Sequence, residues 1–501
     1  MLIGGLDVGT TGAKLTVYTH EGCFVNNEYL EYDVSRKNGE HEIDVLIIFT
    51  AVCEVISKTV KKYPTLAAIG VTTFGETFTV LDDEDKPLFN SMLYTDPRGE
   101  GETKLLCNAL GEKNIRTITG VKPHQMYSLP KIMWLKNKNP DVFKRAKRIL
   151  LMGDYIVYML TGIAQVDYSL AARTMAFDIQ KKEWSKDILG YADIDVSLLS
   201  KPVMSGTLAG KIHIDLARKL GTSEELKIVT GCHDQIAAAV GAGVFQEGQA
   251  VDGTGTVECV TPVFRGIPDN DTMYEEGYSV VPYVFEDKYV CYALSFAGGA
   301  TLKWYRDAFA KYEKQIAVEK GENVYAFLDK QISSKPTDIL VLPHFAGAAN
   351  PYMDSTSKGA IVGLTFEHTN ADIYKAMMEG ATYEIMLNLK HLESFGVEID
   401  ELYATGGGAS SPTWLQIKAD ILNRPVTTID SPEVGACGIC MLTAVAVGVV
   451  KNLEEAKKIF VTNNKTYYPN TENSMIYDKR FEGYKLLYDA VRPIVDKIGE
   501  V

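Results

Sequence analysis

The chain has 501 residues, 46% of them hydrophobic and 23% charged, with a formal net charge of −14. That length exceeds what one hydrophobic core usually supports and points to two globular domains. The acidic balance argues against nucleic acid or an anionic membrane as the main partner, and eight cysteines scattered from Cys23 to Cys440 fit a reducing cytoplasm rather than a disulfide framework.

In chain order, Leu2 to Leu6 predicts a strand, and the alternation Lys14-Leu15-Thr16-Val17-Tyr18 predicts a second, with a turn at Glu21-Gly22 and a third strand from Phe24. The loop between the first two, GLDVGTTGAK (5–14), carries glycines, hydroxyls and a lysine. In a Walker loop or a Rossmann turn such glycines open a helix. Here they bend a β-hairpin, whose backbone N–H groups can also form an anion-binding concavity. The start of the chain lacks the basic stretch and cleavage site of a signal peptide, so export is not expected.

Helical patterns follow at Ile43 to Lys62 and Leu129 to Asn137, with a strand at Ala67 to Val71 between them. The stretch VTGCHDQIAAAVG (229–241) places Asp234 at a strand-to-helix turn. That carboxylate is either a plain helix N-cap or a general base taking a proton from an attacking hydroxyl. A boundary near Gly243 divides the chain into domains 1–243 and 244–501.

Beyond it, AVDGTGTVECV (250–260) repeats the order strand, Asp, Gly/Thr loop, strand. The recurrence suggests two domains of related build, each giving a phosphate-facing loop, with Gly253 and Thr254 in the second, to a shared cleft. Strands at Tyr289 to Leu294 and Asp338 to Leu342 then alternate with helices at Ala371 to Leu392, Pro412 to Asn423 and Val434 to Val449, and a last helix runs from about Tyr477 to Ile498, an α/β order. The weakly polar run GACGICMLTAVAVGVV (435–450) is too short to span a membrane and predicts a buried helix. Its Cys437 and Cys440 are read as small packing residues rather than a zinc or redox pair.

Four ordered motifs carry a resemblance that runs from end to end. DVGTTGAK (7–14), GCHDQ (231–235), the run Gly359 to Leu364 followed by Asp372-Ile373 and Ala376 to Glu379, and ATGGGASSPTWLQIKADILNRPV (404–426) together resemble the FGGY carbohydrate kinases. The resemblance implies two actin/hexokinase-like (ribonuclease H-like) α/β domains with a catalytic cleft between them, and ATP-dependent phosphorylation of a hydroxyl on a small sugar or polyol. It implies Asp234 as the base and Asp7 as a second catalytic carboxylate that holds Mg²⁺ through water. Thr10, Thr11 and Lys14 would lie near the transferred phosphoryl, Gly253 and Thr254 near the outer phosphates, and Gly298, Gly299, Gly407, Gly408 and Asn423 around the nucleotide. The residues leave blander roles open: Lys14 as an edge-strand residue, Asp7 as a turn former and the glycines of 406–408 as a helix-entry loop.

The acceptor pocket departs from both of the family's closest branches. Xylulokinases carry Met-His-Gly after the third strand, whereas Glu76 stands here in place of the histidine; glycerol kinases carry Arg-Glu, and Gly75 replaces the Arg. Glu76 and Gln235 are expected to bind hydroxyls, with a surface glutamate as the alternative for position 76. Asp96 in LYTDPRG (93–99) is a further substrate-side candidate, more as a structural partner of Arg98 than as a direct contact. Residues 120–131 and 161–179 resemble xylulokinase, which makes a ketopentose such as xylulose the leading acceptor and a glycerol- or erythritol-type polyol the runner-up; a sugar acid fits less well because the pocket shows carboxylates more clearly than a basic group. A non-catalytic ATP/sugar-binding regulator of the same fold is the other class kept open. A dinucleotide-dependent oxidoreductase is disfavoured by the hairpin. A cytoplasmic enzyme, with no nucleic-acid or membrane partner and a homodimer as its possible assembly, is expected.

Overall fold

The structure, a computed structural model, describes residues 1–499. It divides into two compact units: Met1–Gly243 with Ser279–Val290 and Ser431–Thr462, and Val244–Tyr278 with Cys291–Asp430 and the chain from Asn463 onward. Val244 opens the second unit, yet residues 279–290 and 431–462 belong to the first, so neither unit is one continuous segment.

In the first unit the strands β1 (Leu2–Val8), β2 (Gly12–Thr19), β3 (Phe24–Glu31), β4 (Leu66–Thr73), β5 (Thr207–Lys211) and β6 (Lys227–His233) form one sheet in the order β5-β6-β4-β1-β2-β3. β1, β4 and β6 run parallel, while β1-β2 and β2-β3 are antiparallel hairpins. Period-two alternation sorts the faces. Leu6, Val8, Leu15 and Val17 pack in one core with Val52, Val55 and Ile56 of α1 (Val45–Lys62). The opposite face is covered by the helix Val434–Ala446, and a Cβ at Gly5 would collide with the Ala436 backbone. The same helix lies so close to α3 (Asp234–Gly241) that a Cβ at Gly438 would overlap the Ala237 carbonyl. The apolar run is thus the buried helix its composition predicts. Cys437 and Cys440 point their thiols at different carbonyls, those of Phe460 and Ile3, at 3.6 and 3.7 Å. Among the described residues no His/Cys/Asp/Glu group is arranged to hold a metal ion, and no helix is long and apolar enough to cross a membrane.

The second unit repeats the plan. β7 (Gly248–Thr254) and β8 (Glu258–Arg265) form an antiparallel hairpin, with β9 (Ala293–Ser295) along β8. β7 lies parallel to β10 (Ile399–Thr405), which lies parallel to β11 (Val426–Ile429), and β12 (Asn463–Tyr467) closes that side antiparallel. A hairpin flanked by parallel strands therefore occurs twice, as the paired glycine loops suggested. Where the sequence predicts one terminal helix over 477–498, the structure has two, Thr471–Tyr484 and Leu487–Gly499, separated at Lys485-Leu486.

Candidate active site

Ligand-binding groups in parallel sheets gather at the carboxyl ends of the strands, and the first unit places three of its candidates there. Asp7 is the penultimate residue of β1, Glu76 follows the end of β4, and Asp234 follows β6 directly. Asp7 lies opposite Lys14 in the hairpin register and beside Thr72 on β4.

The loop Gly9–Thr11 is a tight turn closed by the Gly9 N–H on the Gly12 carbonyl at 3.0 Å. Tyr32 fixes it from the side, its hydroxyl donating to Gly9 O at 2.5 Å and its amide to Thr11 O at 3.0 Å. With those carbonyls engaged, the groups the loop can offer an anion are the amides and hydroxyls of Thr10 and Thr11. Lys14 is neither a free edge lysine nor paired with Asp7: its ammonium sits on both oxygens of Glu433 at 2.8 and 3.0 Å. Burial, then the Asp234 charge, lifts the Asp7 carboxyl to about 6, with Lys14 opposing and Glu433 reinforcing.

Asp234 is the first residue of α3, and His233 occupies the N-cap position, so the plain capping role does not apply. Its Oδ1 accepts from the Gln235 amide at 2.6 Å and lies 3.2 Å from His233 Nε2. Loss of hydration raises Asp234 to about 6, partly opposed by that amide and by Arg173. Burial and Arg173 push His233 down to about 3, so its imidazole is neutral at physiological pH. The end of β6 is pinned from α2 (Tyr168–Ala172): the His233 amide donates to Ser169 Oγ at 2.9 Å, and that hydroxyl donates to Asp167 at 2.6 Å.

Glu76 is no surface residue. It is buried with a left-handed backbone (φ 64°), and its Oε1 accepts from Arg173 Nε at 2.6 Å. Asp96 is engaged as the structural partner of Arg98. Its carboxylate is wholly enclosed, receiving the Arg98 Nε and Nη2 at 2.8 and 2.7 Å and the His41 amide at 2.8 Å. Gln235 is half-buried beside Asp234. Sequence reasoning missed Arg173, Glu433 and Tyr127, whose ring lies 5.1 Å under the Arg173 guanidinium. It quoted Tyr94 without giving it a role, although that ring feels both Glu76 and Asp234.

In the second unit a cavity of about 600 Å³ is lined by Gly255, Gly299, Gly407, Gly408, Ser411 and Trp414, together with Asn323, Tyr325, Asp329 and Tyr374. The last four carry no motif in the sequence. Asp329 ties two walls together by accepting from Tyr374 Oη at 3.0 Å and Ser411 Oγ at 2.8 Å. Gly253 and Thr254 end β7, but the Thr254 side chain is turned inward. Its hydroxyl accepts from the buried Lys418 ammonium at 2.6 Å, which also meets Asp252 at 2.5 Å and Glu258 at 2.7 Å. Burial pushes the Glu258 carboxyl upward, and the Lys418 ammonium opposes that shift. Gly298 and Gly299 shape the loop rather than face outward alone: Gly299 N donates to Gly255 O at 2.8 Å, and a Cβ at Gly298 would overlap Val257. Asn423 is not part of the cavity. It caps the carboxyl end of α4 (Pro412–Leu422) at φ 51°, about 16 Å of helix from the Pro412 end that lines it.

The fold of twin hairpin-bearing sheets, with acidic groups at strand ends in one unit and a glycine-lined cavity in the other, is that of a two-domain phosphotransferase. Residues 2–241 match the N-terminal domain, and 272–447 the C-terminal domain, of the FGGY family of carbohydrate kinases, and the chain belongs to that family. It is 28% identical over 493 residues to the xylulose kinase of Staphylococcus xylosus, spanning 97% of this chain and 99% of that one. It is 26% identical over 484 residues to the gluconokinase of Bacillus licheniformis, spanning 95% and 93%. The ligand-bound xylulose kinase structure from Lactobacillus acidophilus superposes with a TM-score of 0.88 at 25% identity over 99% of both chains. The Plasmodium falciparum glycerol kinase structure with ADP shares the fold at a TM-score of 0.85 and 19% identity, covering 97% of this chain and 98% of that one.

Proposed function

We propose that this carbohydrate kinase transfers the γ-phosphate of ATP to a hydroxyl of a ketopentose, xylulose first among them, with the first unit binding the acceptor and the second the nucleotide. The observation that carries the reading is the pair of carboxylates, Asp7 and Asp234, at the ends of parallel strands in one sheet, each raised to about 6 and therefore ionised at neutral pH. Full-length similarity to xylulose kinases supports the acceptor.

Phosphoryl transfer needs an aligned nucleophile and a cage of donors for the oxygens that carry the charge. Asp234 accepts the proton of the attacking hydroxyl and, fixed by the Gln235 amide, holds that oxygen in line. Thr10, Thr11 and Lys14 surround the transferred group, Lys14 leaving Glu433 for the phosphoryl oxygens. Gly253 and the backbone around Thr254 face the outer phosphates, while Gly299, Gly407 and Gly408 border the nucleoside. A lone carboxylate such as Asp7 suits Mg²⁺, which keeps most of its waters and takes its other oxygens from phosphate. Mg²⁺ bound there supplies charge neutralisation. Cytoplasmic residence suits eight free thiols and an ATP requirement, and a homodimer is the assembly expected of it, readable by light scattering.

The test is ADP release with Mg·ATP across ketopentoses, polyols and aldonates. Turnover highest with xylulose supports the proposal; turnover confined to polyols or aldonates moves the acceptor assignment, and ATP binding without turnover on any acceptor favours a regulator.

A further inference from the structure

We propose that Arg173 is a specificity-determining residue of the acceptor pocket: arriving from beyond α2 to neutralise Glu76, it makes the pocket select uncharged polyhydroxylated acceptors over sugar acids. The inference rests on reading the first unit as the acceptor site.

Position 75 shows how the guanidinium gets there. A Cβ at Gly75 would sit 3.1 Å from Arg173 Cγ and 3.2 Å from His233 Cδ2, closer than such contacts normally come. The absence of a side chain at 75 is thus the space through which Arg173 passes. Its Nε and Nη2 both address Oε1 of Glu76, and Arg173 and Glu76 are 6% and 4% exposed. The guanidinium lies on the Tyr127 ring, and Ser128 Oγ donates to the Glu76 carbonyl at 2.6 Å, holding that turn in place.

The charges around Glu76 decide which acceptors fit. From the β6–α3 junction come Asp234 and a neutral His233; from the segments before them come Tyr94 and the buried Lys131, whose ammonium is held by the Gln125 carbonyl. Behind these, Asp96 and Arg98 cancel each other. Arg173 is occupied by Glu76, which leaves Asp234 as the charge beside the reacting hydroxyl. An acceptor carboxylate there would face the Asp234 charge while the guanidinium is taken up by Glu76, whereas hydroxyls can donate to Glu76 and Asp234 alike. A buried ion pair seldom stabilises a fold more than apolar packing would, so the pair's specificity function accounts for its presence.

Four variants test this: Glu76→Gln, Arg173→Lys, Arg173→Met and Gly75→Ala, the last displacing Arg173 without removing it. The readouts are KM and kcat for xylulose and for gluconate, KM for ATP, and acceptor binding by calorimetry, which reports even without turnover. Glu76→Gln should weaken xylulose binding about tenfold to a hundredfold, improve gluconate binding by releasing the guanidinium, and leave KM for ATP unchanged. Arg173→Lys should keep more xylulose affinity than Arg173→Met, and Gly75→Ala should fall between wild type and Arg173→Met. If Arg173→Met fails to fold, the double variant Glu76→Gln/Arg173→Met removes the pair without leaving a buried charge. An unchanged xylulose-to-gluconate affinity ratio in folded variants overturns the inference, as does tighter gluconate than xylulose binding by wild type. Wild type that binds xylulose but never turns it over defeats the kinase reading instead.

Discussion

The two hairpins share a backbone plan and treat their aspartates in opposite ways. In β1–β2 the loop is accessible, Asp7 sits across from a lysine that is held elsewhere by Glu433, and the carboxyl carries a raised pKa. In β7–β8, Asp252 and Glu258 are buried on the Lys418 ammonium together with the Thr254 hydroxyl, so the side chains are spent internally. The same strand-loop-strand frame can therefore leave its charge available at a strand end or seal it inside as a support. The first arrangement suits chemistry and the second suits holding a loop in shape for backbone contacts.

The largest effect on stability is expected where the sealed network is broken. Lys418→Met leaves two carboxylates buried without their cation and should cost about 3–5 kcal/mol, read as a fall in Tm. Adding Asp252→Asn and Glu258→Gln should restore most of it; no recovery would mean that Lys418 acts through packing alone. Next, Gly438→Ala forces a methyl onto the Ala237 carbonyl and should cost about 1–3 kcal/mol, visible by denaturant titration.

A smaller effect of opposite sign is expected at the open hairpin. Asp7 ionises near 3.8 when unfolded and at about 6 when folded, so the folded state binds the extra proton between those values and stability falls as pH rises through them. Asp7→Asn should thus raise stability at pH 7 by about 1–2 kcal/mol, below the full linkage value because the group is coupled to Asp234 and only partly enclosed. The same variant should lose Mg²⁺-dependent turnover. Activity should follow the reverse trend with pH, rising as Asp234 and Asp7 ionise through about 6. A flat kcat/KM from pH 5 to 8 would show that neither carboxylate must be charged.

Much of the frame is legible in the sequence because it rests on local signals. Period-two alternation and glycine bends give both hairpins, and the Gly/Ala/Cys run gives the buried helix 434–446. Asp234 is visible because it punctuates a strand and a helix, although telling a base from a cap took the position of His233. The partners that tune the site are not local. Arg173 lies 97 residues from Glu76 and Glu433 lies 419 from Lys14, so only the folded sheet brings them together. Lys418 looks like a solvated helix lysine until helix packing buries it, and Asn423, in a matching motif, proved to be a left-handed helix cap.

The role of Asp234 as the base of an ATP-dependent sugar kinase is tested most directly by comparing ADP release with xylulose and Mg·ATP by wild type and Asp234→Asn, with ATP affinity measured in parallel. A base at 234 makes the variant lose about 10³-fold in kcat with ATP binding intact. Equal turnover by the two proteins would contradict it.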